Sequence, residues 1–116
     1  MPPTTSYSRG DVVLVSFPFT DLTSTKRRPA LVISPDAVNR MDEDLILVAI
    51  TSQLNPFPNS IQVLPTECED GALPKESMIK LNKMFTLTTA LITKKLCCVN
   101  DQKLNQVLAS LRALFS

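Results

Sequence analysis

The chain has 116 residues, 44% of them hydrophobic and 20% charged, with a formal net charge of +1, three cysteines and no histidine. That length supports one core burying roughly two thirds of the unfolded chain's surface and leaves no room for a second domain, so residues 1–116 are read as a single one. The missing histidine removes the commonest base near neutral pH, the Ser-His and Cys-His pairs and His-containing zinc sites, and a charge near zero argues against indiscriminate polyanion binding.

No window approaches the ~20 uninterrupted apolar residues of a membrane helix. The start, Met1-Pro2-Pro3-Thr4-Thr5-Ser6, lacks the basic and apolar regions of a signal peptide. A cytoplasmic location with no membrane partner is expected, and residues 1–8 are expected to be a flexible tail. The β-branched run at 12–17 predicts a first strand, closed by Pro18 because proline cannot donate to a ladder. Residues 19–28 carry no apolar period and predict an exposed, mobile loop.

Residues 29–34 predict a second strand stopped by Pro35, and 45–50 a third, with an acidic, irregular connection between them. A proline-rich turn at 55–59 leads to a strand at 61–64, a loop at 65–74 and a further strand at 77–81. Residues 86–99 predict one more strand, interrupted by Lys94 and Lys95. Asn100 or Asp101 can cap a helix whose Leu104, Val107, Leu108, Leu111 and Leu114 form one apolar stripe. Five or six short strands and one terminal helix, without strand-helix alternation, predict a mainly β fold: a small, strongly curved antiparallel sheet or partly open barrel. Cys97 and Cys98 would point to opposite faces of a strand, and together with Cys68 they are read as reduced thiols.

No glycine-rich phosphate loop, Cys-x-x-Cys pair or metal-ligand spacing is present, so neither a metal nor a cofactor is expected. Two polar groupings stand out. Lys26, Arg27 and Arg28 lie where a loop meets a buried strand, and an arginine there could offer its planar fork to a phosphate, although solvated surface is the commoner use of such a cluster. Thr51, Ser52 and Gln53 directly follow six apolar residues, which puts hydroxyl and amide donors at the mouth of a buried strand, where a simple turn would use the same residues.

Three ordered blocks carry a resemblance. They are Arg9-Gly10-Asp11-Val12-Val13-Leu14-Val15, Arg28-Pro29-Ala30-Leu31-Val32-Ile33-Ser34 and Ala49-Ile50-Thr51-Ser52-Gln53. In order and spacing they resemble the MazF/PemK family of toxin endoribonucleases, with weaker agreement through Gly71-Ala72-Leu73-Pro74-Lys75-Glu76-Ser77 and into the terminal helix. The resemblance implies an SH3-like barrel, a homodimer, and metal-independent cleavage of single-stranded RNA at short sequences. It also implies that the ribose 2′-hydroxyl attacks the neighbouring phosphorus, leaving a 2′,3′-cyclic phosphate and a 5′-hydroxyl.

By the same resemblance the arginine before the proline, Arg28, and the threonine after the apolar strand, Thr51, are the catalytic residues. Arg28 would stabilise charge on phosphorus, and Thr51, too weakly acidic to be a convincing base, would donate a hydrogen bond. The expected RNA contacts are Lys26, Arg27, Ser52, Gln53, Lys75 and Ser77. With no Trp, one Tyr and five Phe, base contacts should be mainly polar, and Phe17, Phe19 and Phe57 are read as core or loop anchors. Proton transfer is left to Asp21, a lysine or a bound water.

The implied partner is an antitoxin with a disordered, often acidic tail that covers the RNA groove and competes for Arg28. The rival readings are a CcdB-like toxin acting through protein contacts, whose C-terminal tryptophan motif this chain lacks, and a member that keeps antitoxin binding without cleavage.

Overall fold

Side-chain alternation along the strands feeds two apolar layers, one on each face of a single sheet. The structure, a computed structural model, describes residues 7–17 and 26–116. These form β1 (Asp11–Phe17), β2 (Lys26–Val32), α1 (Asp36–Met41), β3 (Asp44–Thr51), β4 (Ser60–Val63), β5 (Cys68–Glu69), β6 (Ser77–Thr88), β7 (Ile92–Val99) and α2 (Asp101–Leu114). Every pairing is antiparallel, in the order β4-β6-β3-β2-β1-β7-β5. Adjacent residues go to opposite layers: Val12, Leu31, Val48, Ile50 and Ile79 to one, Val13, Val15, Ala30, Val32 and Leu47 to the other.

A covalent constraint bends this sheet. Its two edge strands, β4 and β5, are separated in the chain only by residues 64–67, which include a 3-10 turn at Pro65–Glu67. A flat sheet of seven strands would hold its edges about 29 Å apart, whereas five Cα steps reach at most about 18 Å. The sheet must therefore curl into a partly open barrel. Lys103 of α2 sits at that seam, 7% exposed, with its Nζ donating to the Gln62 carbonyl at 2.9 Å and to Gln106 Oε1 at 2.9 Å, and lying 3.3 Å from Glu67. A charge so deeply buried persists because each donor finds an acceptor.

The terminal helix forms as the apolar spacing predicts. The Asn100 side chain accepts the Lys103 N–H at 2.8 Å, and Val107 and Leu111 are buried against the inner layer with Leu104, Leu108 and Leu114 packed around them. The cysteines are all free thiols; Cys97 is buried and Cys98 half-buried, on opposite faces. Burial, reinforced by a hydrogen bond to Cys68, pushes the Cys97 thiol up to about 12, which keeps it protonated and unreactive at neutral pH.

Several boundaries differ from the sequence expectation. β2 begins at Lys26, so the basic cluster lies in a strand rather than in a loop, and Pro29 is an interior strand residue. Proline is tolerated there because β3 joins β2 only from Ala30 onward, leaving Pro29 paired with β1 alone. Residues 18–25, with the rest of the expected loop and with Phe19 and Asp21, lie outside the described residues, as do residues 1–6. Tyr7 and Ser8, expected in the tail, are tied down: the Tyr7 carbonyl accepts from Asn39 Nδ2, and the Ser8 N–H donates to Asp11.

The connection expected to be irregular contains α1, too short for a readable period, held by the buried Asn39 accepting from the Ser34 hydroxyl. The strand expected at 77–81 runs on to Thr88, and the one expected at 86–99 is the end of β6, a 3-10 turn at Thr89–Leu91, and β7. Lys94 and Lys95 do not interrupt β7, because Lys95 faces solvent and pairs with Asp11 at 3.4 Å and Asp70 at 3.0 Å. The described residues hold seven strands rather than five or six, the extra one being the two-residue β5, too short for any pattern.

Candidate active site

Register brings the two flagged groupings together. The β2–β3 ladder pairs Ala30 with Ala49, and continuing it by two residues sets Arg28 across from Thr51 on the same face. Both line a pocket of about 360 Å³ together with Arg27, Pro29, Ser52 and Gln53. They also line an adjoining pocket of about 530 Å³ that continues over Lys80, Lys83 and Met84. The two pockets share Arg28, Ile50, Thr51 and Gln53 and form one open groove over the first half of β2, the end of β3 and the middle of β6.

Each side chain there has a rigid base. Arg28 is exposed yet springs from a strand hydrogen-bonded to β1, its backbone opposite Val15. Thr51 ends β3, and its Oγ1 accepts the Gln53 N–H at 3.2 Å, which orients the hydroxyl while leaving its own O–H to donate outward. The small side chains of Ala30 and Ala49, one row behind, leave space between Arg28, Thr51 and β6.

The first sequence block does something different. Arg9 Nε donates to the Ile33 carbonyl at 2.8 Å and its N–H to Asp36 Oδ1 at 2.7 Å, while the buried Asp11 accepts from Ser8 and pairs with Lys95. These residues fasten the start of β1 to the end of β2 and to β7, and so support the groove without lining it.

Arg27, Ser52 and Gln53 lie in the groove as expected of contact residues. For Lys26 the structure places the backbone at the start of β2. Lys75 and Ser77 precede Met78, the β6 partner of Thr51, but neither lines the two pockets. Ser77 is 3% exposed and its hydroxyl donates to the Lys75 carbonyl at 2.9 Å, so it cannot reach a ligand in this arrangement, whereas Lys75 is exposed. Among the described residues no three of His, Cys, Asp and Glu gather as metal ligands. No helix among them is long and apolar enough to cross a membrane.

The family model of PemK-like, MazF-like toxins of type II toxin-antitoxin systems matches residues 8–115. The chain belongs to this family. A curated relative, Endoribonuclease MazF of Staphylococcus saprophyticus, is 29% identical over 102 residues, covering 85% of this chain and 82% of its own. A MazE-MazF crystal structure from Deinococcus radiodurans superposes with a TM-score of 0.79 at 23% identity, covering 97% of each chain. An endoribonuclease from a mycobacterial species, solved in complex with its cognate antitoxin, gives a TM-score of 0.74 at 20% identity, covering 97% of this chain and 95% of that one. These likenesses bear out the mainly β, partly open barrel with its C-terminal helix.

Sequence reading passed over Lys80 and Lys83 as groove residues. A signal for Lys80 existed in the alternation of Met78, Ile79, Lys80 and Leu81: once Ile79 and Leu81 are inside, Lys80 must share the outer face with Thr51. Phe57, read as an anchor, is half-buried with Lys80 Nζ 4.2 Å from its ring centroid.

Proposed function

We propose that this MazF-like endoribonuclease cleaves single-stranded RNA by transesterification within the RNA itself, with Arg28 and Thr51 as its catalytic residues. The 2′-oxygen forms a bond to the adjacent phosphorus as the bond from phosphorus to the 5′-oxygen breaks; the 2′-hydroxyl loses its proton and the departing 5′-oxygen gains one. The products are a 2′,3′-cyclic phosphate and a 5′-hydroxyl. The RNA supplies its own nucleophile, so the protein's task is to hold the backbone in line and to stabilise the charge gathering on the non-bridging oxygens.

The observation that carries this reading is the register that sets Arg28 across from Thr51 in one groove. The Arg28 guanidinium donates two parallel hydrogen bonds to a phosphate, and the Thr51 hydroxyl donates from the facing strand. Arg27, Ser52 and Gln53 border the same space and contact the flanking nucleotides.

The working form is a homodimer, and its partner is an antitoxin whose acidic tail lies over this groove and excludes RNA. The solved MazE-MazF structure and the mycobacterial endoribonuclease in complex with its cognate antitoxin support that partnership. Purified protein is expected to cleave a mixed RNA in the presence of chelator. Thr51→Ala should lower the single-turnover rate about 10²–10³-fold, the usual loss for one charge-stabilising donor. Equal cleavage by wild type, Thr51→Ala and Arg28→Ala would trace the activity to a contaminant and overturn the assignment.

A further inference from the structure

The groove does not stop at the Arg28–Thr51 pair. Along β6, Met78 pairs with Thr51 and Lys80 with Ala49, so Lys80 is the diagonal neighbour of Thr51 on the same face, about 7–8 Å away at the backbone. Beyond Lys80 the ladder slips. Ala49 and Val48 are adjacent on β3, but their partners on β6 are Lys80 and Met84, leaving residues 81–83 without partners on β3. The Leu81 N–H is satisfied instead by the Asn59 carbonyl at 2.9 Å. A bulge of this kind bends a strand and re-aims its side chains. Here it accompanies an exposed Lys83 lining the pocket that Arg28, Thr51 and Lys80 also line.

Lys80 is not a loose surface cation. Its Nζ rests 4.2 Å from the centre of the Phe57 ring, which comes from the β3–β4 connection and limits the directions the ammonium can take. Three cations, Arg28, Lys80 and Lys83, therefore line a single pocket, in a chain whose overall charge is only +1. A lysine is a point charge suited to a phosphate and carries no information about the base.

We infer that Lys80 and Lys83 form a second backbone subsite, which holds the phosphates flanking the scissile one, with Phe57 as the positioning residue for Lys80. The inference rests on RNA being the substrate and deepens that reading. The subsite tethers the strand beside the bond over Arg28 and binds it equally before and during reaction; it adds affinity and leaves both the chemical step and the choice of sequence unchanged.

The test is the salt dependence of binding to an RNA oligomer made uncleavable by a 2′-deoxy sugar at the scissile position. Removing one phosphate contact from a single strand should flatten the slope of log K against log salt by about 0.7, so Lys80→Gln and Lys83→Gln should each lose about 0.7 and the double variant about 1.4. In cleavage assays KM should rise while kcat at saturation and the cleavage sequence stay as in wild type. Phe57→Leu should raise KM and keep the wild-type salt slope. Arg40→Gln, an exposed cation on α1 beyond the far end of β2, should leave every reading unchanged. Lysine variants that melt as wild type does and keep its salt slope and KM would overturn the inference while leaving the nuclease reading intact. A wild-type protein that neither binds nor cleaves RNA would overturn both.

Discussion

Arg28→Ala is expected to lower the single-turnover rate of RNA cleavage by about 10³-fold or more, the largest loss of any single substitution in the groove. In the proposed mechanism the guanidinium faces the position where the attacked phosphate becomes more negative, and a planar two-donor cation stabilises that charge more than a neutral hydroxyl does. Arg28→Lys should recover only part of the rate, because it restores the charge without the fork. The side chain is exposed, on a strand whose backbone is paired with β1 on both sides of it, so neither variant should move the melting temperature by more than a few degrees. Loss of rate with the fold intact separates a catalytic role from a structural one. Arg28→Ala with wild-type rate would remove the arginine from the mechanism.

Gly71→Ala is expected to destabilise the fold by about 3–5 kcal/mol, far more than a surface alanine should. The residue has φ +137°, a region that side chains rarely adopt, and a Cβ there would lie 2.0 Å from the carbonyl oxygen of Leu96. That carbonyl cannot step aside, because it accepts the Ala72 N–H at 3.0 Å and belongs to β7. Gly10→Ala is the comparison: its φ is +99°, but its Cβ would meet the flexible end of Leu104 at 3.3 Å, so its loss should be smaller. Urea unfolding at matched protein concentration, needed because dimerisation would couple stability to concentration, should rank wild type above Gly10→Ala and Gly10→Ala above Gly71→Ala. A reversed order would contradict the close approach of this turn to β7.

What could be read from the chain follows the range of the interactions involved. The doubled apolar runs of β1 and β3 announce strands buried on both faces, and Asn100 with the leucines after it announces a capped helix, because those signals are local. Thr51 was visible as a polar break after an apolar strand. Arg28 was visible as a cation, but its place in a strand was not, since Pro29 usually marks an end and here escapes the rule through one-sided pairing.

The curl of the sheet depends on how few residues join β4 to β5, which matters only once the strand order is known. Lys103 and Asp11 look like surface charges until the groups that pair with them, Glu67 with Gln62 and Lys95, arrive from elsewhere in the chain. Lys80 follows the alternation of β6, whereas Lys83 lies in a ladder slip that no local pattern encodes. The nuclease reading entered through ordered motifs; what the fold adds is a register that makes neighbours of residues more than twenty positions apart.

The most direct measurement uses one RNA in two forms, identical except that the sugar on the 5′ side of the preferred cleavage bond carries a 2′-hydroxyl in one and hydrogen in the other. The all-ribose form should be cut in chelator to a 2′,3′-cyclic phosphate and a 5′-hydroxyl, and the deoxy form should bind equally well and remain intact at that bond. Cleavage of the deoxy form at the same bond would mean that the nucleophile comes from outside the RNA, and the role given to Arg28 and Thr51 would be wrong.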